Sequence, residues 1–193
     1  MSASATPAQP GASRLQQARS ILLDCFAAIA GLDPTYWEQL LHEHSSRRSL
    51  SLQWRGVLHD TPTVAAVRVA HALEMGPPGL QVWRAVWNAD FSTPTLLLAA
   101  TAASLLSGRE SMLILAATGN GRGNDAGALI DAESCARMAV AGFDPETEIR
   151  LDNCAELLAS SGDLLNLPSG AADADDTGSF VIMGLKWHAP AGH

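Results

Sequence analysis

The residues with the clearest chemical potential are Gly119-Asn120-Gly121-Arg122-Gly123-Asn124, which follow the apolar run Met112–Ala117 and precede a segment of helical spacing. Gly121 to Ala126 fits G-x-G-x-x-A, a setting in which backbone N–H groups and a helix N-terminus can cradle a phosphate. Gly119, Gly121, Gly123 and Asn124 are therefore the candidate ligand-binding positions. Asp125 works against this reading, because a carboxylate in the first helical turn repels the phosphate that the helix dipole attracts. Asp152 lies where it could mimic a ribose-binding acid, but 193 residues do not leave room to complete a dinucleotide domain. The simpler alternative is a Gly/Asn connector with Asn124 or Asp125 as the N-cap of the next helix.

Metal chemistry is not indicated. Asp173-Ala174-Asp175-Asp176-Thr177-Gly178 echoes the start of a calcium loop, yet Gly184 stands where a bidentate Glu is needed, so a solvated acidic loop is expected. His42 and His44 are two residues apart on a helical segment and point in nearly opposite directions, so they cannot share an ion. His71 falls on the apolar spacing of its helix and reads as a core or boundary histidine. Cys25, Cys135 and Cys154 lack C-x-x-C spacing, which fits a reducing compartment and a buried, apolar role for Cys25. G-x-S-x-G, P-loop and H-E-x-x-H motifs are missing. No cofactor and no metal are expected.

The elements that must position these residues follow from periodicity. Leu15, Ala18, Ile21, Leu22, Cys25, Phe26 and Ile29 share one face of a helix ending at Gly31, and Asp33-Pro34 opens a second short helix. Alternation over Leu50–Leu58 predicts a strand. Thr61-Pro62 and Thr93-Pro94 then each open a helix, the first carrying Val64, Val67, Ala70, His71 and Leu73 and the second apolar nearly all round from Leu96 to Leu106. Leu80–Trp87 and Met112–Ala117 read as strands, the latter covered on both faces. Asp125–Ala141 reads as a helix, Glu148–Leu151 as a short strand, Ala155–Ala159 as a helix and Phe180–Trp187 as an interior strand. The order strand, helix, strand, helix, strand from residue 50 to residue 117 gives two consecutive βαβ units. The expected fold is a three-layer α/β domain: a mixed sheet of four to five strands, helices on both faces, and two N-terminal helices in front. The domain is expected to span residues 13–188, with tails at 1–12 and 189–193; residues 1–12 have neither the basic start nor the apolar core of a secretory signal.

Apolar residues make up 47% of the chain and charged ones 17%, the balance of a folding, globular sequence. Net charge is −8, with thirteen acids against four basic residues after position 109, so a nucleic-acid partner is not expected. No apolar run is long enough to span a bilayer, and membrane association is not expected either. The balance suggests a bacterial cytoplasmic protein. Five tryptophans against one tyrosine fill the core by default, or leave an aromatic patch for a protein partner; a homo-oligomer is left open.

Residues 50–119 resemble the N-terminal half of ketosynthase-like, thiolase-fold proteins. In that family an Ala/Leu helix ends in a small-residue turn and feeds a central apolar strand, as Leu96-Leu97-Leu98-Ala99-Ala100 runs through Ser107-Gly108 to Met112-Leu113-Ile114-Leu115-Ala116-Ala117 here. Where the family places its nucleophilic cysteine, this chain reads Asp90-Phe91-Ser92-Thr93-Pro94. The resemblance thus implies a non-catalytic accessory or protein-binding domain. Two other readings stand beside it: a small-molecule or nucleotide-binding domain using Gly119–Gly123, and an enzyme with Ser92 or Cys135 as nucleophile, either of which needs a nearby base.

Overall fold

A computed structural model describes residues 10–87, 90–118, 127–165 and 179–188. Five strands, β1 (Leu52–Leu58), β2 (Gly79–Ala85), β3 (Met112–Thr118), β4 (Gly127–Ile130) and β5 (Phe180–Lys186), form one sheet in the order β1-β2-β5-β3-β4. β1, β2 and β3 run in one direction, and β4 and β5 in the other. Seven helices surround it: α1 (Pro10–Ile29), α2 (Trp37–Ser46), α3 (Pro62–Met75), α4 (Pro94–Leu106), α5 (Ser134–Val140), α6 (Pro145–Arg150) and α7 (Cys154–Ser160). The expected three-layer α/β architecture is the one observed. None of the described helices is long and apolar enough to cross a membrane.

Strand alternation divides the core into two layers. Leu113, Leu115 and Ala117 of β3 and Val181, Met183 and Leu185 of β5 pack under Leu22, Phe26, Ile29, Trp37 and Leu41 of α1 and α2. Ile114, Ala116 and Ile182 face α3, α4 and α7 on the other side. α4 is buried along most of its length, which is why its sequence is apolar all round rather than amphipathic. Both βαβ units exist, but the second is opened by β5, which inserts antiparallel between β2 and β3. Gly184 makes this possible on the α3 side: a Cβ there would lie 2.5 Å from Leu73 Cδ1. The absence of a side chain thus brings helix and strand into direct contact.

Several expectations need correction. The segment Asp125–Ala141 is not one helix. Gly127–Ile130 pairs with Ile114–Ala117 as β4, and the chain turns at Asp131, whose carboxylate accepts from Glu133 N at 2.8 Å before α5 begins. Glu148–Leu151 is not a strand, because Asp144 accepts from Thr147 N and caps α6, with Pro145 at its first turn. α1 begins at Pro10, inside the stretch read as a tail. α3 is rotated from the expected phase: Ala65, Ala66, Val69 and Leu73 are buried, while Val64 and Val67 are 51% and 53% exposed and His71 is exposed. Small alanines on the inner face let α3 approach α4 and the sheet closely, and this wins over burying the valines.

One polar cluster fastens the sheet's far edge. Asp131 and Asp163 are 2% and 1% exposed, and Arg137 of α5 donates to both, at 3.0 Å and 2.5 Å. Arg19 of α1 reaches Asp131 at 2.8 Å, and Ser161 donates to Asp163 at 2.7 Å. The backbone beside Asp163 closes the outer side of β4, through Leu129 N to Asp163 O and Leu165 N to Gly127 O. Burial opposes the charge on Arg137, but its hydrogen bonds with Asp131 and its attraction to Asp163 outweigh that, so the guanidinium is held above its ordinary value.

Replacing Arg137 by Met leaves buried Asp163 without a cationic partner and Asp131 with Arg19 alone, and equilibrium urea unfolding should show a loss of about 3–5 kcal/mol; a loss below about 1 kcal/mol would mean that water screens the pair. Gly184→Ala should cost about 1–3 kcal/mol in the same measurement, because Leu73 must leave its rotamer or β5 must shift.

Candidate functional site

The sheet has one edge at which three parallel strands end together. Leu58, Ala85, Phe180 and Thr118 are register partners in a row across β1, β2, β5 and β3. α3 and α4 both start from this edge, behind Thr61-Pro62 and Thr93-Pro94. Open α/β sheets bind ligands outside the carboxyl ends of their strands, so this is the place to look for function. Trp87 and Phe180 line the edge with ring centroids 4.8 Å apart, and Trp87 Nε1 donates to Asp60 O at 2.9 Å.

A cavity of about 330 Å³ opens at the start of α4, lined by Asp90, Phe91, Ser92, Thr93, Leu97 and Asp152. Ser92 Oγ donates to Asp152 Oδ2 at 3.0 Å. Asp152 is held there by the turn between α6 and α7, where its backbone takes a positive φ of 60° and its N–H donates to Ile149 O. The Thr93 side chain makes no capping bond and Pro94 has no N–H, so the first-turn amides of α4 have no side-chain cap. Asp90 and Asp152 supply negative charge at that positive helix end. A free anion is therefore disfavoured in the cavity, whereas hydroxyl groups find an acceptor in Asp152 and hydroxyl partners in Ser92 and Thr93.

Ser92 is one of the two nucleophile candidates. Its hydrogen bond to a carboxylate orients the hydroxyl, but among the described residues no histidine or lysine lines the cavity to remove its proton. Cys135 sits half-buried on α5 with Sγ 3.7 Å from Ser104 Oγ, near the opposite end of α4. Roughly 15 Å of helix separates the two positions, so they do not belong to one site. Gly119, Gly121, Gly123 and Asn124 lie outside the described residues, as does the acidic segment 173–178. The stretch 119–126 joins the end of β3 to the start of β4 at the same sheet edge as the cavity. Among the described residues no group of three or more His, Cys, Asp or Glu is placed to hold a metal ion. Sequence reasoning treated Asp152 only as a ribose-binding acid; its pairing with Ser92, 60 positions away, has no local signal.

The chain matches no protein-family model and no curated protein. Among solved structures it is similar in fold to a glycerate kinase from Thermotoga maritima, with a TM-score of 0.70 and 15% identity over 81% of this chain and 41% of that one. It is also similar to the PH0495 protein from Pyrococcus horikoshii OT3, with a TM-score of 0.64 and 16% identity over 80% and 38% of the two chains. The chain thus spans about two fifths of the length of either structure.

The thiols give a direct check on the arrangement. Burial pushes Cys25 up to about 11, and burial with the nearby Asp152 charge does the same for Cys154. At pH 8 their thiolate fraction should be roughly a hundredfold below that of an ordinary cysteine. A thiol-disulfide reagent with peptide mapping should label Cys135 first in the native protein and the other two only on unfolding. Early labelling of Cys154 would show that the α7 end of the cavity is open.

Proposed function

We propose that the chain is a small-molecule-binding α/β domain whose ligand sits at the carboxyl edge of the sheet, with Asp152, Ser92 and Thr93 reading its hydroxyl groups. The observation that carries this reading is the Ser92–Asp152 pair in a cavity at the N-terminus of α4. The fold likeness to a glycerate kinase supports a small hydroxylated ligand, and since the groups in the cavity suit hydroxyls and disfavour a free anion, a neutral polyol fits best. Ligands of open α/β sheets also favour this edge.

A second reading, the protein-binding accessory role that the ketosynthase-like resemblance implies, is favoured by one feature. Val64, Val67 and Met75 lie along the outer side of α3 and are 51%, 53% and 73% exposed. A helix face of this kind suits a partner protein. Neither matching structure is described as a ketosynthase or thiolase.

A thermal-shift screen with glycerate, phosphoglycerate, ATP, NAD and coenzyme A separates the readings. A ligand present at a hundred times its dissociation constant stabilises the native state by about 2.7 kcal/mol, a midpoint shift of several degrees in a chain of this size. With the neutral polyol erythritol added to the screen, its shift is expected to exceed that of glycerate, whose carboxylate meets Asp90 and Asp152, and Asp152→Asn should reduce it strongly. No shift with any compound, or a shift that Asp152→Asn leaves intact, would overturn the assignment. A shift with coenzyme A alone would favour the accessory reading.

A further inference from the structure

On the opposite face of the same edge stands a charge with no carboxylate bonded to it among the described residues. Arg84 is the penultimate residue of β2, an inner strand, and its side chain is half-buried on the α1–α2 side of the sheet. Its register neighbours on that face are Val57 and Val181, neither of which can pair with it. Of its donors, Nη2 reaches the hydroxyl of the buried Ser179 at 3.1 Å, while Nε is buried with no partner among the described residues. An ion-paired arginine would show a carboxylate within 4 Å, as Arg19, Arg48, Arg68, Arg109 and Arg137 all do. Among the described residues, Asp33, in the connection between α1 and α2, is an acid whose charge interacts with it. That carboxylate is exposed and committed to Thr35, accepting from its backbone N at 2.9 Å and its Oγ1 at 2.6 Å. The Thr35 bonds are the main reason the Asp33 carboxyl lies below its ordinary range, and the Arg84 charge is a lesser one. Beside the guanidinium the sheet face is partly bare: Val57 and Val86 are 44% and 40% exposed.

A half-buried guanidinium that keeps an unpaired donor is costly unless something else compensates it. Arginine is over-represented where carboxylates and phosphates are recognised, and Nη1, which is neither buried nor bonded among the described residues, is the donor that an anion can reach. We propose that Arg84, together with Ser179, recognises the carboxylate or phosphate group of a small organic anion whose apolar part lies over Val57 and Val86. This site is separate from the Ser92–Asp152 cavity and does not depend on it. The two lie on opposite faces of the sheet, one at the start of α4 and the other beneath the α1–α2 connection.

The test is a titration of the full chain followed by NMR of the arginine Nε–H groups. A buried Nε–H exchanges slowly enough to be observed, and the Arg84 resonance is identified by its loss in Arg84→Lys. Inorganic phosphate, acetate and butyrate are the probes. Saturable movement of the Arg84 resonance is expected, with butyrate binding about tenfold more tightly than acetate if the valine floor contributes near 1.4 kcal/mol. Movement with phosphate alone would assign the site to phosphoryl groups, and movement with the carboxylates alone to carboxyl groups. A resonance that does not move with any probe, or equal movement of several arginines, overturns the proposal on the wild-type protein alone. A further readout separates a binding role from a structural one: Arg84→Met should leave the unfolding midpoint without anion unchanged or higher, and a large fall would show that the residue serves the fold.

Discussion

The fold depends on one guanidinium that serves two buried carboxylates. Arg137 holds Asp131 and Asp163, and each carboxylate marks the point where a separate piece of chain meets the sheet. Asp131 ends β4 and starts the turn into α5, and Asp163 follows α7 and pairs its backbone with the outside of β4. Charges so deeply buried are tolerated only when hydrogen-bonded, and here Arg19 and Glu133 N bond Asp131, Ser161 bonds Asp163, and Ser134 accepts from Arg137. Because α6 and α7 pack on α4, the same cluster sets where the turn carrying Asp152 lies relative to Ser92. The candidate site is thus held by a contact at the far edge of the sheet.

The cluster also explains why the most acidic half of the chain can fold. Two of its thirteen acids are neutralised internally, one of them partly by Arg19 from the other half of the sequence, and exposed acids elsewhere stay in water. α1 is therefore tied to the C-terminal part by charge as well as by packing. The last strand closes the structure, since β5 sits between β2 and β3 and supplies the central row of hydrogen bonds. Until it inserts, β2 and β3 have no strand between them. Pairings of such long sequence separation make closure the slow event in folding.

Local signals gave away the elements whose spacing is decided by their own side chains. α1, α4 and β3 could be read from periodicity, and Thr61-Pro62, Thr93-Pro94 and Asp33-Pro34 marked three helix starts. Where packing partners decide, the reading failed. Gly127–Ile130 has the composition of a buried helix turn as much as of a strand, and only its pairing with β3 makes it β4. In α3, the valines looked like core and the alanines like filler, yet close approach to α4 reversed their roles. The candidate site was half legible. Ser92 stood out as a hydroxyl directly ahead of α4, but its partner Asp152 arrives through the packing of α6 and α7, and Arg84 read as an ordinary strand position.

The two faces of the carboxyl edge carry opposite charge, and this limits what each can bind. On the α4 side, Asp90 and Asp152 offset the positive end of the helix, so an approaching phosphate gains little from the dipole and loses to two carboxylates. On the α1–α2 side, Arg84 presents positive charge over apolar residues, and Asp33, the acid that could cancel it, is turned toward Thr35. Under the two proposals a neutral polyol and an organic anion would be sorted to different faces of one sheet. An anion that also carries hydroxyl groups, as a hydroxy acid does, meets both preferences only if it spans the edge itself. The row Leu58–Ala85–Phe180–Thr118 is the boundary it would have to cross, and the Trp87–Phe180 pair at that boundary gives it an aromatic surface to lie against.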